Sequence, residues 1–159
     1  MVKKYVFGTP IETDAVVKEI KETSWKDDIF QKEGNVFHYL LKTDEIVYGL
    51  GENVRGMNKR GWRYVSNCSD NPNHCEHTNS LYGAHNFIMV GDGVNETYGL
   101  FVDTPGTVTF DVGYTDIDQL IIVMENENYK IYLIEGQTYQ DVVREFREMI
   151  GRSYIAPRW

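Results

Sequence analysis

The stretch Tyr98–Ile134, YGLFVDTPGTVTFDVGYTDIDQLIIVMENENYKIYLI, decides the fold class. Tyr98 to Val102 is a short apolar run that stops at Thr104-Pro105-Gly106. Val108, Phe110 and Val112 then alternate with Thr109 and Asp111, the period of two that puts successive side chains on opposite faces of a strand. Leu120–Met124 and Tyr129–Ile134 follow, separated by the polar turn Glu125-Asn126-Glu127-Asn128. Short strands repeated at this spacing read as an antiparallel sandwich or barrel.

The pattern extends outward on both sides. Upstream, Val36–Leu41 and Ile46–Tyr48 are strand-like, and His85–Val90 ends at the turn signal Gly91-Asp92-Gly93. Downstream the period changes. Tyr139, Val142, Val143, Phe146, Met149 and Ile150 fall on one face of a helix over 138–150. Thr138 is placed to cap it, Asp141 suits the positive end of the helix dipole, and Gly151 supplies a left-handed exit. Residues 1–30 are weakly patterned. Ile11, Ala15, Val16 and Ile20 at helical spacing, with Thr13 as cap, predict a short surface helix there. Gly49–Ser80 is the anomaly: a long stretch rich in Gly, Asn, Asp, Arg and His with few strand signals. Such a stretch inside a compact domain is expected to be functional and held in order by something.

Bulk properties bound the function. At 159 residues the chain suits one domain with a real core. A formal net charge of −8 argues against nucleic-acid and anionic-membrane partners but not against a neutral sugar. No signal peptide or membrane span is legible, so a reducing cytoplasm is the expected compartment, with Cys68 and Cys75 as free thiols. No cofactor is implied.

Several segments resemble the N-terminal domain of family 31 glycoside hydrolases, whose best-known members are α-glucosidases. These are Tyr48-Gly49-Leu50-Gly51-Glu52 followed by Met57-Asn58-Lys59-Arg60-Gly61; Ser66-Asn67-Cys68-Ser69-Asp70; and Leu81-Tyr82-Gly83 leading into Asn86-Phe87-Ile88. Tyr98 to Thr104, and Ile131-Tyr132 through the helix to Ile150-Gly151-Arg152 and Pro157-Arg158-Trp159, complete the set. Order and spacing over residues 46–159 carry the resemblance, and Cys68-Ser69 before Asp70 departs from the commonest pattern. The resemblance implies a mainly β fold, an antiparallel β-sandwich of the galactose-mutarotase-like supersandwich type with a C-terminal α-helix. It implies that residues 1–159 form a single N-terminal domain ending before a (β/α)8 catalytic barrel. It also implies a retaining mechanism on α-glycosidic linkages, with an Asp nucleophile and an Asp acid that both belong to the barrel. No catalytic residue is therefore assigned to this chain, and the fragment is expected to be inactive alone, with an exposed apolar patch including Tyr154 or Trp159.

The resemblance places Asp70 on a loop that contacts the sugar, where one carboxylate can accept from two hydroxyls. The competing reading of Asp70-Asn71-Pro72 is an Asx turn. Glu52, Asn58, Lys59 and Arg60 are read as a salt-bridge and hydrogen-bond frame for the long loop rather than as ligands. Cys68, His74, Cys75 and His77 have zinc-ligand chemistry but not a usual zinc spacing, so no metal is assigned. Trp62, Tyr64 and Tyr82 are read as core or rim, and His38 and His85 as packed or edge residues.

Three functions compete. The first is a domain that buttresses a glycosidase barrel and lends it a loop for an α-glucoside or oligosaccharide substrate, with an α-xylosidase-type member as a variant. The second is an autonomous carbohydrate-binding module, against which the barrel lead-in at Pro157-Arg158-Trp159 weighs. The third is an aldose mutarotase, which needs its own acid–base pair in a much larger sandwich.

Overall fold

The computed structural model describes residues 1–26 and 29–157. Ten strands and one helix form in the order β1 (Val2–Phe7), β2 (Gln31–Glu33), β3 (Val36–Leu40), β4 (Ile46–Gly51), β5 (Trp62–Ser66), β6 (Ala84–Gly91), β7 (Thr97–Asp103), β8 (Val108–Val112), β9 (Gln119–Met124), β10 (Tyr129–Gly136) and α1 (Tyr139–Ile150). They build two five-stranded antiparallel sheets, β1-β10-β7-β6-β4 and β2-β3-β9-β8-β5. Face to face, these sheets make the antiparallel sandwich that the alternating pattern implied.

The two sheets read differently in sequence because they are buried differently. Phe37, Tyr39, Tyr64, Val108, Phe110, Val112, Leu120 and Ile122 of the second sheet point into the core between the sheets, and their neighbours face outward. Hence the clean alternation in β8. The first sheet is covered on both sides. Tyr129, Ile131 and Leu133 of β10 enter the inter-sheet core, while Tyr132 and Ile134 pack under α1 with Phe87, Phe101, Val142, Phe146 and Met149. Two buried faces explain the unbroken apolar run Ile131–Ile134.

Helix α1 begins as its sequence indicates. The Thr138 hydroxyl accepts from the Asp141 N–H at 3.2 Å, and the Asp141 carboxylate accepts from the Thr138 N–H at 3.1 Å, a reciprocal capping box. Gly151 ends the helix at φ 89°, ψ 168°. That is the extended positive-φ region reserved for glycine rather than the left-handed helical one expected. Phe146 stacks on Phe87 with ring centroids 3.8 Å apart.

The surface helix expected around residues 11–20 does not form. Asp14 sits at φ 56°, outside right-handed helical space, and the N–H groups of Val17 and Lys18 both donate to the Met149 carbonyl near the end of α1. Thr13 caps nothing helical; its hydroxyl donates to Asp103 at 2.5 Å and accepts from the Ala15 N–H. Val16 and Ile20 bury against the cluster under α1. The segment is an irregular strap in which Val16 and Ile20 face the surface it covers while Ile11 stays exposed. Tyr154 and Ile155 beyond α1 are exposed; Arg158 and Trp159 lie outside the described residues. Among the described residues no helix is long and apolar enough to cross a membrane.

Candidate functional site

The site grows from an irregularity in β4. Pairing with β6 slips between Gly49 and Gly51, where Gly49 (φ 119°), Leu50 (φ 67°) and Gly51 (φ 72°) all take positive φ. A side chain on Gly51 would stand 2.1 Å from the Gly83 carbonyl oxygen, so only glycine allows the two strands to meet there. Leu50 accepts the strained conformation because its side chain is buried in the core. The bulge turns the chain out of the sheet and aims Glu52 at the far end of the long loop. The Glu52 N–H donates to the Gly83 carbonyl at 2.8 Å, and the Gly83 N–H donates back to the Glu52 carboxylate at 3.2 Å.

Residues 52–61 are the frame that the charged cluster suggested, built from hydrogen bonds to backbone. Asn58 accepts from the N–H groups of Val47 and Arg60. The Arg60 guanidinium donates to the carbonyls of Lys42, Glu45 and Ile117. Lys59 is buried, with its ammonium donating to the Gly56 carbonyl at 3.1 Å. Burial, with the Arg55 charge behind it, holds that ammonium below its usual pKa. The expected salt bridges are absent: among the described residues none of Glu52, Lys59 and Arg60 forms an ion pair.

Inside the stretch that showed few strand signals lies β5, whose Trp62, Tyr64 and Ser66 pair with Val112, Phe110 and Val108. Tyr64 is core and Trp62 packs at its edge, while Tyr82 is about half exposed at the rim. Beyond β5 the chain leaves the sheet as a loop, 67–83, carrying Asp70. Its base is laced: the Val65 N–H donates to the Asn79 carbonyl at 3.1 Å, the Ser69 N–H to the Leu81 carbonyl at 3.0 Å, and the Ser80 hydroxyl to the Asn67 carbonyl. Leu81 is buried beneath it. The Ala84 N–H donates to the Cys68 sulfur.

At the outer end of the loop the Asx turn belongs to Asn71, whose side chain accepts from the Asn73 N–H at 3.0 Å across Pro72. Asp70 is exposed, and among the described residues its carboxylate has no hydrogen-bond or ion-pair partner. His74 and Tyr82 meet edge to face, with centroids 6.0 Å apart. Both thiols are free and exposed, and donation from the His77 N–H and the Thr78 hydroxyl lowers the Cys75 thiol below its ordinary pKa. Among the described residues no three His, Cys, Asp or Glu side chains gather as metal ligands. His38 sits on the outer face with Nδ1 3.2 Å from the Gln119 amide oxygen, and His85 is exposed at the start of β6. Sequence reasoning overlooked Arg55, which joins this loop to its frame; an arginine just ahead of the Trp62/Tyr64 pair was its only trace.

Comparison with known proteins places this architecture. Residues 8–111 match the model of the glycosyl hydrolase 31 N-terminal galactose mutarotase-like domain. An alpha-glucosidase of Saccharolobus solfataricus is 31% identical over 120 residues, covering 75% of this chain and 17% of that protein. The alpha-xylosidase XylQ of Lactiplantibacillus pentosus is 29% identical over 118 residues, covering 73% and 14% respectively. Among solved structures, the cycloalternan-degrading enzyme from Trueperella pyogenes in complex with isomaltose superposes at a TM-score of 0.72 with 21% identity, over 84% of this chain and 21% of that one. The Flavobacterium johnsoniae GH31 dextranase complexed with glucose gives 0.69 with 23% identity, over 85% and 16%. At such identities these two likenesses speak to the fold alone. The chain thus spans less than a fifth of the length of the two relatives named here. With the family model covering well over half of the residues, this chain belongs to the galactose mutarotase-like N-terminal domains of glycosyl hydrolase family 31.

Proposed function

We propose that this domain serves a retaining glycoside hydrolase acting on α-glucosidic linkages, where it buttresses a (β/α)8 barrel and lends it the 67–83 loop, with Asp70 accepting hydrogen bonds from substrate hydroxyls. The observation that carries the reading is the exposed Asp70 carboxylate, unpaired among the described residues, on a loop whose base is laced to the sandwich. The neighbouring turn is made by Asn71, so turn formation does not account for the acid at 70. A charged acceptor without an internal partner is suited to the edge of a polyol. The exposed Tyr154 and Ile155, just past α1, suit a chain that continues into a covering domain. Catalysis in this reading belongs to two barrel carboxylates about 5–5.5 Å apart, and the 159-residue chain alone is expected to be inactive.

The test is Asp70→Ala in the complete glycosidase. A hydrogen bond to a charged group contributes about 1.5–3 kcal/mol, so kcat/KM on α-glucosides should fall roughly tenfold to hundredfold with little change in stability. Asp70→Asn should recover only part of the loss. Unchanged kcat/KM for Asp70→Ala on several α-glucosides refutes the ligand role. An α-xyloside assayed in parallel separates the glucosidase from the xylosidase variant, and turnover by the 159-residue chain alone would overturn the buttress reading.

A further inference from the structure

We propose that Arg55 is the positioning residue of the Asp70 loop: its guanidinium, stacked on Trp62, ties the returning limb of that loop to β5 and so sets where Asp70 stands. The inference rests on the reading that Asp70 meets substrate. Three bonds leave one planar group in three directions. Nε donates to the Glu76 carbonyl at 2.7 Å, Nη1 to the Arg63 carbonyl at 2.8 Å, and Nη2 to the Asn79 side-chain oxygen at 3.3 Å. The guanidinium carbon lies 4.2 Å from the centre of the Trp62 ring and 5.2 Å from that of Tyr64. Trp62 is itself fixed, through pairing with Val112 and packing at the edge of the core.

The chemistry explains why this residue is an arginine. Glu76 and Asn79 offer acceptors on an exposed limb with little apolar surface of its own to bury, so hydrogen bonds must hold it. A planar fork with five N–H donors can reach a carbonyl on β5 and two acceptors on the loop while stacking on an indole; a lysine ammonium is a point charge on a flexible stem. The Asn79 carbonyl also accepts from the Val65 N–H, so Arg55 grips the limb where it rejoins the sheet. The same limb continues through Ser80 and Leu81, which bond Asn67 and Ser69, and Ser69 precedes Asp70. The path from Arg55 to Asp70 therefore runs from the guanidinium along the limb 76–81 and crosses through the Ser80 hydroxyl to Asn67 and the Leu81 carbonyl to the Ser69 N–H.

The test uses a Glu-specific endoprotease on the 159-residue chain, with fragments identified by mass. Arg55→Ala should speed cleavage after Glu76 by about tenfold or more, because opening the limb no longer has to break the two hydrogen bonds that Arg55 makes to Glu76 and Asn79. Other Glu sites of the sandwich should be cut at the wild-type rate. Arg55→Lys, which keeps the charge, should still be cut several-fold faster than wild type. Unchanged cleavage at Glu76, or acceleration in step with every other site, overturns the clamp. In the complete glycosidase, Arg55→Ala should lower kcat/KM, and the Arg55→Ala/Asp70→Ala pair should lose no more than Asp70→Ala alone; additive losses overturn the positioning role. If Asp70→Ala itself leaves kinetics unchanged, the substrate reading fails, and the protease result still decides whether Arg55 holds the loop.

Discussion

Replacing Gly99 by alanine tests how α1 is seated. Gly99 lies on β7 beneath the first turns of the helix, and a Cβ there would stand 2.4 Å from Val142 Cγ1, 3.2 Å from Phe87 Cε2 and 3.4 Å from Ile134 Cβ. Carbon atoms settle at about 3.5–4.0 Å, so Val142 must retreat by more than about 1 Å. It has nowhere to go. The side chain is fully buried, its β-branched rotamer is largely dictated by the helix, and the sheet closes the other sides. Two effects oppose each other. Removing a glycine from a strand gains about 0.5–1 kcal/mol, whereas overpacking a filled core costs about 1–3 kcal/mol. The clash should win by about 1–2 kcal/mol, lowering Tm by roughly 2–8 °C for a domain of this size. Urea and thermal unfolding followed by tryptophan fluorescence measure it. The decisive comparison is Gly99→Ala in a Val142→Ala background. There the offending methyl is gone, so the second substitution should be neutral or stabilising, giving a coupling of about 1–3 kcal/mol. A Gly99→Ala protein as stable as wild type, or two strictly additive losses, would refute this account of the helix–sheet contact.

Thr138→Ala should cost about 0.5–2 kcal/mol by opening the capping box, and Thr138→Ser should restore most of it; urea midpoints read both. A pH effect is expected at Asp92, whose carboxylate accepts from the N–H groups of Val94, Asn95 and Glu96 and from the Asn95 side chain. These bonds, Val94 first, hold it well below the ordinary carboxylate pKa. A depressed carboxylate stabilises the fold fully above its unfolded pKa of about 3.9 and loses that contribution as pH falls toward its folded value. The stability gap between wild type and Asp92→Asn should therefore be widest above about pH 5 and should close steadily on acidification; a gap that widens in acid contradicts the assignment.

The strands between Val36 and Ile134 other than β5, and the helix, were legible because local pattern and tertiary environment agree there. Val108, Phe110 and Val112 alternate because the other face of β8 carries polar groups, the half-buried Thr109 and an Asp111 bonded to Arg63 and Thr115; Thr138 and Asp141 cap each other across three residues. The motif Gly49-Leu50-Gly51-Glu52 entered the reading only as part of a family resemblance; the bulge that its two glycines permit came from the structure. Tertiary structure alone decided the rest. Ile11, Ala15, Val16 and Ile20 carry a helical period, yet that segment forms no helix, because backbone donors at Val17 and Lys18 found the Met149 carbonyl and no local signal encodes a partner that far along the chain. Strand β1 was invisible for the same reason: its core-facing residues, buried Tyr5 and half-buried Phe7, acquire their meaning only beside Ile131 and Tyr129 of β10. Composition marked the Asp70 loop as unusual. Which groups hold it is a matter of three-dimensional proximity, since Arg55 reaches Glu76 and Asn79 across more than twenty residues of chain.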